Sequence, residues 1–280
     1  MILKDLYSFC LKTLKNGNIE DAEFEAGIIF EESTGLRKTD LILKGENAVD
    51  DKQIKTAENM LQRRLKREPL QYIIGHWEFM GLDFEVGEGV LIPRPETEAL
   101  VEFAIEFIKE KPDAVVFDLC SGSGCIGLSV AEFCPQASVY MLEKSDNAFK
   151  YLKKNLKKSS SKSIKAIKAD ITKGFDYFSQ LPKPDLILSN PPYIISDEIP
   201  SLQAEVQFEP VMALDGGSDG FDFYKCLCDE WFAKITDLTM AVECGENQAF
   251  EIEQMIKQYT SNTQIIKDFN NIERIVTAKK

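Results

Sequence analysis

Asn190-Pro191-Pro192-Tyr193 follows an apolar run, Asp185-Leu186-Ile187-Leu188-Ser189, that reads as a buried parallel strand. Two consecutive prolines remove backbone donors and fix φ. Carbonyls and the Asn190 amide are therefore held outward at the carboxyl end of a strand, where open α/β sheets bind ligands. Such a loop suits the gripping of a planar NH2 group. The Asn190 side-chain oxygen and the Pro191 carbonyl can each accept one of its two N–H bonds, leaving the nitrogen to face a methyl donor. Pro192 stiffens the slot, and the ring of Tyr193 would wall it.

A second constellation lies upstream. Asp118-Leu119-Cys120-Ser121-Gly122-Ser123-Gly124 follows an apolar strand and precedes a helical run, Ile126-Gly127-Leu128-Ser129-Val130. Strand, glycine loop and helix together make a ligand cradle. Gly122 to Gly127 also spells Gly-x-Gly-x-x-Gly, so a dinucleotide site is the rival reading. Against it, an acidic Asp118 and intervening residues separate strand from glycines, where a pyrophosphate wants the first glycine at the turn. A zwitterionic amino-acid tail fits better. Asp118 can take its ammonium, directly or through water, while loop amides face its carboxylate. S-adenosylmethionine has such a tail. Glu143, closing the next strand, would then accept two ribose hydroxyls, and Asp170 beside Ile171 would accept the adenine amino group, with Asn190 bordering the same donor.

These residues need a scaffold, and the hydrophobic periods supply it. From 1 to about 75 the signals are helical: Leu3, Leu6, Tyr7, Cys10, Leu11 and Leu14 recur at three- and four-residue steps, which predicts a bundle of about four helices. Trp77 to Val86 alternates around Gly81 as a hairpin does. Pro93-Arg94-Pro95-Glu96-Thr97 forms a stiff segment, either a roof over the donor and glutamine pocket or a rigid linker, with Thr97 as the expected helix N-cap. Beyond it, apolar strands at 114–117, 139–142, 164–167, 186–188 and 238–242 alternate with helices, an α/β pattern with a mostly parallel sheet. Two last runs, around Ile265 and Ile275, are too close for a crossover and should pair antiparallel. The expected division is a helical substrate-docking domain at 1–75, a hairpin and linker at 76–96, and a catalytic domain at 97–280.

Composition narrows the function classes. The 280 residues carry a net charge of −13, which opposes nonspecific attraction to phosphate backbones, so nucleic acid is disfavoured as the main partner. The basic run Arg63-Arg64-Leu65-Lys66-Arg67 reads as the solvated face of a helix, or as a dock for an acidic patch or RNA. No apolar window is long enough to span a membrane, and the amino-terminal residues lack a signal-peptide pattern. Seven cysteines without regular spacing read as free thiols of a cytoplasmic protein. With His76 the only histidine, and placed away from every motif, no metal site is expected.

The motifs together resemble those of a known family. Gln71-Tyr72-Ile73, Leu91-Ile92-Pro93-Arg94-Pro95-Glu96-Thr97-Glu98, Asp118 to Gly124, Asn190-Pro191-Pro192-Tyr193-Ile194, Glu209-Pro210, Asp215-Gly216-Gly217-Ser218-Asp219-Gly220, Glu243-Cys244-Gly245-Glu246-Asn247-Gln248 and Arg274 are similar to those of HemK-type peptide chain release factor glutamine methyltransferases. The resemblance implies a helical N-terminal domain and a class I S-adenosylmethionine-dependent methyltransferase domain, Rossmann-like and seven-stranded. It implies a class 1 release factor as substrate, with the methyl placed on the side-chain amide nitrogen of the glutamine in a Gly-Gly-Gln loop. Asn190 and Pro191 would be the catalytic pair, and no strong general base is needed, because the nitrogen becomes acidic once methylated. The rivals are an enzyme acting on a ribosomal-protein glutamine or on adenine or guanine, and a cofactor-binding module whose chemistry has lapsed.

Overall fold

The spacing of Leu3, Leu6, Cys10 and Leu14 gives α1 (Leu3–Asn16) one buried stripe. With α2 (Ala22–Thr34), the short α3 (Leu41–Lys44) and α4 (Asp51–Arg64), it encloses a core containing Phe30, Ala57 and Leu61. Local chemistry sets the helix ends. The Asp50 side chain accepts from the Gln53 N–H at 2.8 Å while Gln53 reaches back to the Asp50 N–H, a capping box that starts α4. Gly35, in the left-handed conformation, ends α2. The fifth helix, α5 (Leu70–Ile74), begins after Pro69 and stops at the left-handed Gly75.

The computed structural model describes residues 1–280 and forms two compact units. The first is Met1–Gly75 together with Gln203–Phe208, a segment remote in sequence. An ion-pair network accounts for that addition. The Arg64 guanidinium, nearly buried, donates to both carboxylate oxygens of Glu25 at 2.7 and 3.1 Å and to Glu205 at 2.8 Å, and Arg67 also reaches Glu205. Arg64 is therefore not part of a solvated face, although Lys66 stays exposed and Arg63 and Arg67 partly so. A guanidinium offers a planar fork that pairs with two carboxylates at once, and this fork, not charge spacing, decided the burial.

The second unit, His76–Leu202 with Glu209–Lys280, carries the rest. A hairpin joins β1 (His76–Phe79) to β2 (Leu82–Glu85), with Met80 and Gly81 both at positive φ, as a two-residue primed turn requires. The order then runs α6 (Glu98–Glu110), β3 (Val115–Leu119), α7 (Cys125–Phe133), β4 (Ser138–Glu143), α8 (Asp146–Lys158), β5 (Ile164–Lys168), β6 (Leu186–Ser189), α9 (Asp222–Cys226, continued by a wide turn to Phe232), β7 (Thr239–Glu243), α10 (Ala249–Ile256), β8 (Thr263–Lys267) and β9 (Glu273–Lys279). The seven-stranded sheet has the order β5-β4-β3-β6-β7-β9-β8, with β9 antiparallel to both neighbours.

Because successive strand residues point to opposite faces, Val116, Leu186 and Leu188 pack beneath α6 and α7, while Phe117, Ile187 and Met240 pack on the other side with Trp231 and Phe232. Trp231 is fully buried and donates its indole N–H to the Ile171 carbonyl at 3.0 Å, pinning the backbone that follows Asp170. No helix is long and apolar enough to cross a membrane.

Removing Arg64 would leave Glu25 and Glu205 without their shared cation. Arg64→Ala should destabilise the first unit by about 3–5 kcal/mol, the range for one lost partner of a buried pair. Urea denaturation would measure the loss, and limited proteolysis should then cut within Gln203–Phe208.

Candidate active site

Strand order reverses between β3 and β6: β4 and β5 lie on one side of the pair, β7 on the other. In a doubly wound sheet, that reversal opens a crevice beyond the carboxyl ends of the two strands. Here it holds a cleft partly open to solvent. The parallel registers Leu119↔Leu142, Leu119↔Ser189 and Ser189↔Val242 end four strands at one level.

From β3 the chain turns sharply. Cys120 takes φ +62°, Gly122 +55° and Gly124 +83°, and α7 starts at Cys125. A Cβ on Gly122 would meet nothing within 4 Å, so its absence serves the left-handed backbone. Ser121 ties the turn down: its hydroxyl donates to the Asp118 carbonyl at 2.7 Å and its N–H to the Leu142 carbonyl. The N–H of Gly122 goes to Glu143 Oε2 at 2.8 Å and that of Gly124 to the Ser121 carbonyl. Three loop amides are therefore engaged by the protein itself, and are not free for a ligand carboxylate as expected.

The acids differ in their surroundings. Asp118 is completely buried under the loop; its Oδ2 accepts from the Gly127 N–H at 3.0 Å, and its Oδ1 has no partner. Burial pushes its pKa up to about 7 despite that bond. Glu143 accepts from Gly122 and, through Oε1, from the Ser145 N–H at 2.5 Å; burial raises its pKa as well. Asp170 is opposite in kind. Partial burial would raise its pKa, but Lys144 at 2.9 Å and the Thr172 hydroxyl and N–H outweigh it, and the carboxyl is held below its usual range.

Asn190 follows β6, and its side-chain Nδ2 donates to the Thr97 hydroxyl at 3.2 Å. Thr97 was expected to cap α6. It makes no cap bond, because the turn Pro95–Thr97 already brings it into helical φ/ψ, and its hydroxyl points to Asn190 instead. Behind Thr97 lies Glu243, the last residue of β7, with Oε2 unpartnered and a pKa raised by burial to about 7.

Cys120, Ser121, Gly122, Ser123, Glu143, Asp170, Ile171, Asn190 and Pro192 line the cleft together. Asp118, Gly124, Pro191 and Tyr193 are not among its lining residues. The wall also includes part of the stiff Pro93 to Glu98 segment, for which the sequence left a roof and a linker both open, and residues given no role from sequence. Leu91, Ile92, Pro93, Arg94 and Thr97 form one side, opposite Pro210, Met212 and Ala213. A nearly buried Glu209 joins those sides, accepting from the Ile92 N–H at 2.9 Å and pairing with Arg94. The motifs around Arg94 and Glu209 were visible, but a salt bridge spanning 115 residues leaves no local signal.

An orphaned buried carboxylate oxygen, an acid at the next strand end and a glycine turn with open space before it fit a methyl donor of the S-adenosylmethionine type.

Two family models match the chain: the PrmC N-terminal domain over residues 5–75 and the methyltransferase small domain over residues 97–206. A release factor glutamine methyltransferase of Clostridium botulinum (strain Hall) is 31% identical over 284 residues, covering 100% of both chains. One from Thermodesulfovibrio yellowstonii is 35% identical over 239 residues, 83% of this chain and 84% of the relative. Among solved structures, the hMettl16 catalytic domain in complex with MAT2A 3'UTR hairpin 1 aligns with a TM-score of 0.59 at 15% identity, covering 85% of this chain and 84% of that one, a likeness of fold alone.

The Asp118 carboxyl makes stability depend on pH. Its folded-state pKa, about 7, lies above the ordinary 3.8, so the folded chain holds this proton more tightly than the unfolded one. Stability from this group is therefore lost as pH rises from about 4 to about 7. Asp118→Asn abolishes that slope. Urea denaturation should show the variant gaining on the wild type between about pH 4.5 and about pH 8, by up to about 4 kcal/mol. A constant difference across that range would show that Asp118 is ionised throughout.

Proposed function

The chain belongs to the release factor glutamine methyltransferase family, and we propose that it transfers a methyl group from S-adenosylmethionine to the glutamine of the Gly-Gly-Gln motif in class 1 peptide chain release factors. The product is N5-methylglutamine. The observation that carries this reading is the anchoring of Asn190: with Nδ2 held by Thr97, the atom left to the cleft is Oδ1, an acceptor. A slot that presents an acceptor suits an NH2 group.

When bound, S-adenosylmethionine supplies an electrophilic methyl on a sulfonium sulfur. The chain's own residues do the rest. The Asp118 oxygen without a partner would take the ammonium of the donor's amino-acid tail, Glu143 would take the ribose hydroxyls with its remaining lone pairs, and Asp170 and Ile171 would border the adenine. Cys120 to Gly124 supply the turn that lets backbone approach the ligand closely.

Asn190 Oδ1 accepts one hydrogen of the glutamine amide, and the Pro191 carbonyl the other. An amide nitrogen is a weak nucleophile because its lone pair is delocalised. Two acceptors favour the pyramidal form and stabilise the positive charge that grows on nitrogen as the methyl transfers. Alignment of this kind contributes roughly 7–11 kcal/mol in favourable cases. The proton leaves to water after transfer, through the Asn190 and Pro191 contacts. The bundle of residues 1–75 supplies the second surface by which one glutamine is chosen among many. Seven free thiols agree with work in the cytoplasm.

The test is methylation with isotopically labelled donor. The full chain should place one methyl on a class 1 release factor, located by mass spectrometry at the Gly-Gly-Gln glutamine, and Asn190→Ala should slow the single turnover by about 100-fold or more while donor binding survives. Label on RNA, DNA or a ribosomal protein with the release factor untouched would overturn the substrate assignment. A near wild-type rate for the variant would overturn the role of Asn190.

A further inference from the structure

We propose that Thr97 and Glu243 form a polarity relay that fixes which end of the Asn190 amide faces the slot, so that the slot accepts an NH2 group and refuses a carbonyl. The inference rests on the reading of Asn190 as the grip on the substrate nitrogen, and it assigns two positioning residues behind it.

The sheet places the three side chains in line. Strands β6 and β7 run parallel with Ser189 opposite Val242, so Asn190 and Glu243 leave the sheet side by side. Thr97, in the turn just before α6 and 2% exposed, stands between the two: its hydroxyl accepts from Asn190 Nδ2 at 3.2 Å, and the Glu243 carboxyl lies on its other side, the acceptor the relay assigns to its hydrogen.

A hydroxyl owns a single hydrogen. A carboxylate only accepts, so an ionised Glu243 takes that hydrogen, and the Thr97 lone pairs are left for Asn190. The amide must then turn its NH2 back toward Thr97 and its Oδ1 toward the cleft. Without the acid, the hydroxyl hydrogen can swing to Oδ1, the amide flips at little steric cost, and NH2 would face NH2. Oxygen and nitrogen of an amide are nearly equal in size, so packing alone cannot hold the choice. Hydrogen-bond polarity can.

The burial of Glu243 gives independent weight. It is 2% exposed and its Oε2 has no partner, an arrangement that costs stability wherever it occurs. Around it stand Arg274 from β9, Arg94 and Glu96 from the segment before α6, Tyr193 from the loop after β6 and Cys244 next in the chain. None of these replaces Thr97 as a link to Asn190. Since burial pushes the Glu243 pKa up to about 7, assays at about pH 8.5 keep the relay ionised.

Three variants test it on the full chain. Thr97→Val keeps the shape and deletes the hydroxyl; single-turnover methylation of a class 1 release factor at saturating donor should slow at least about tenfold, with donor affinity and melting temperature nearly unchanged. Thr97→Ser restores the hydroxyl and should recover most of the rate. Glu243→Gln can donate as well as accept, so it should slow the reaction about three- to tenfold. A Thr97→Val protein that is folded and as fast as wild type overturns the relay, as does a Thr97→Ser protein as slow as Thr97→Val. The Asn190 side chain gives a readout that needs no substrate. By NMR, its Nδ2 hydrogens should exchange slowly with solvent in the wild type and Thr97→Ser, and fast in Thr97→Val. Equal exchange in all three overturns the relay even if no release factor is methylated; slow exchange lost only in Thr97→Val, with no methylation by the wild type, upholds the relay and overturns the substrate reading instead.

Discussion

Parallel strands finish at the same edge of a sheet, and here four of them finish in or beside polar side chains, two of which keep a buried oxygen that the protein leaves without a partner. Asp118 in β3 keeps one oxygen without a partner, and Glu243 at the end of β7 does the same. Glu143 closes β4, and Asn190 follows β6 and lines the cleft. Around this edge the core is apolar, from Val116 and Phe117 to Leu188 and Met240. Such a core makes the uncompleted polar groups costly, and the same low polarity makes any partner that completes them tightly held.

Local strain points to the same place. Cys120 occupies a left-handed conformation that a residue with a side chain seldom adopts, and it does so at the turn directly above Asp118. Ser121 holds that turn with two hydrogen bonds, so the strain is maintained by the fold instead of relaxing. The Asp118 acid group and the turn above it are one construction.

Much of this was legible in the residues because it is local. Apolar runs ending at Asn190-Pro191 and Glu143 marked strand ends, Met80-Gly81 marked a hairpin, and the closeness of the last two strands dictated their antiparallel pairing. What stayed hidden was long-range or depended on which of two local roles a residue takes. Thr97 before Glu98-Ala99-Leu100-Val101 has the form of an N-cap, and only the preceding turn, already helical, frees its hydroxyl for Asn190 93 positions away. Glu243 stood within a visible motif, yet its burial follows from strand register. Arg64 looked solvated because charge runs usually are; Glu25 and Glu205, far apart in sequence, bury it.

If the buried Asp118 oxygen receives the ammonium of the methyl donor, binding must release a proton. Without ligand the carboxyl has a pKa of about 7, so at about pH 6 it is mostly protonated. An ammonium beside it would lower that value and expel the proton. Calorimetry of S-adenosylmethionine binding at about pH 6, in buffers of different ionisation enthalpy, should show nearly one proton released, and Asp118→Asn should abolish the release. Binding enthalpy independent of buffer in the wild type would contradict the account.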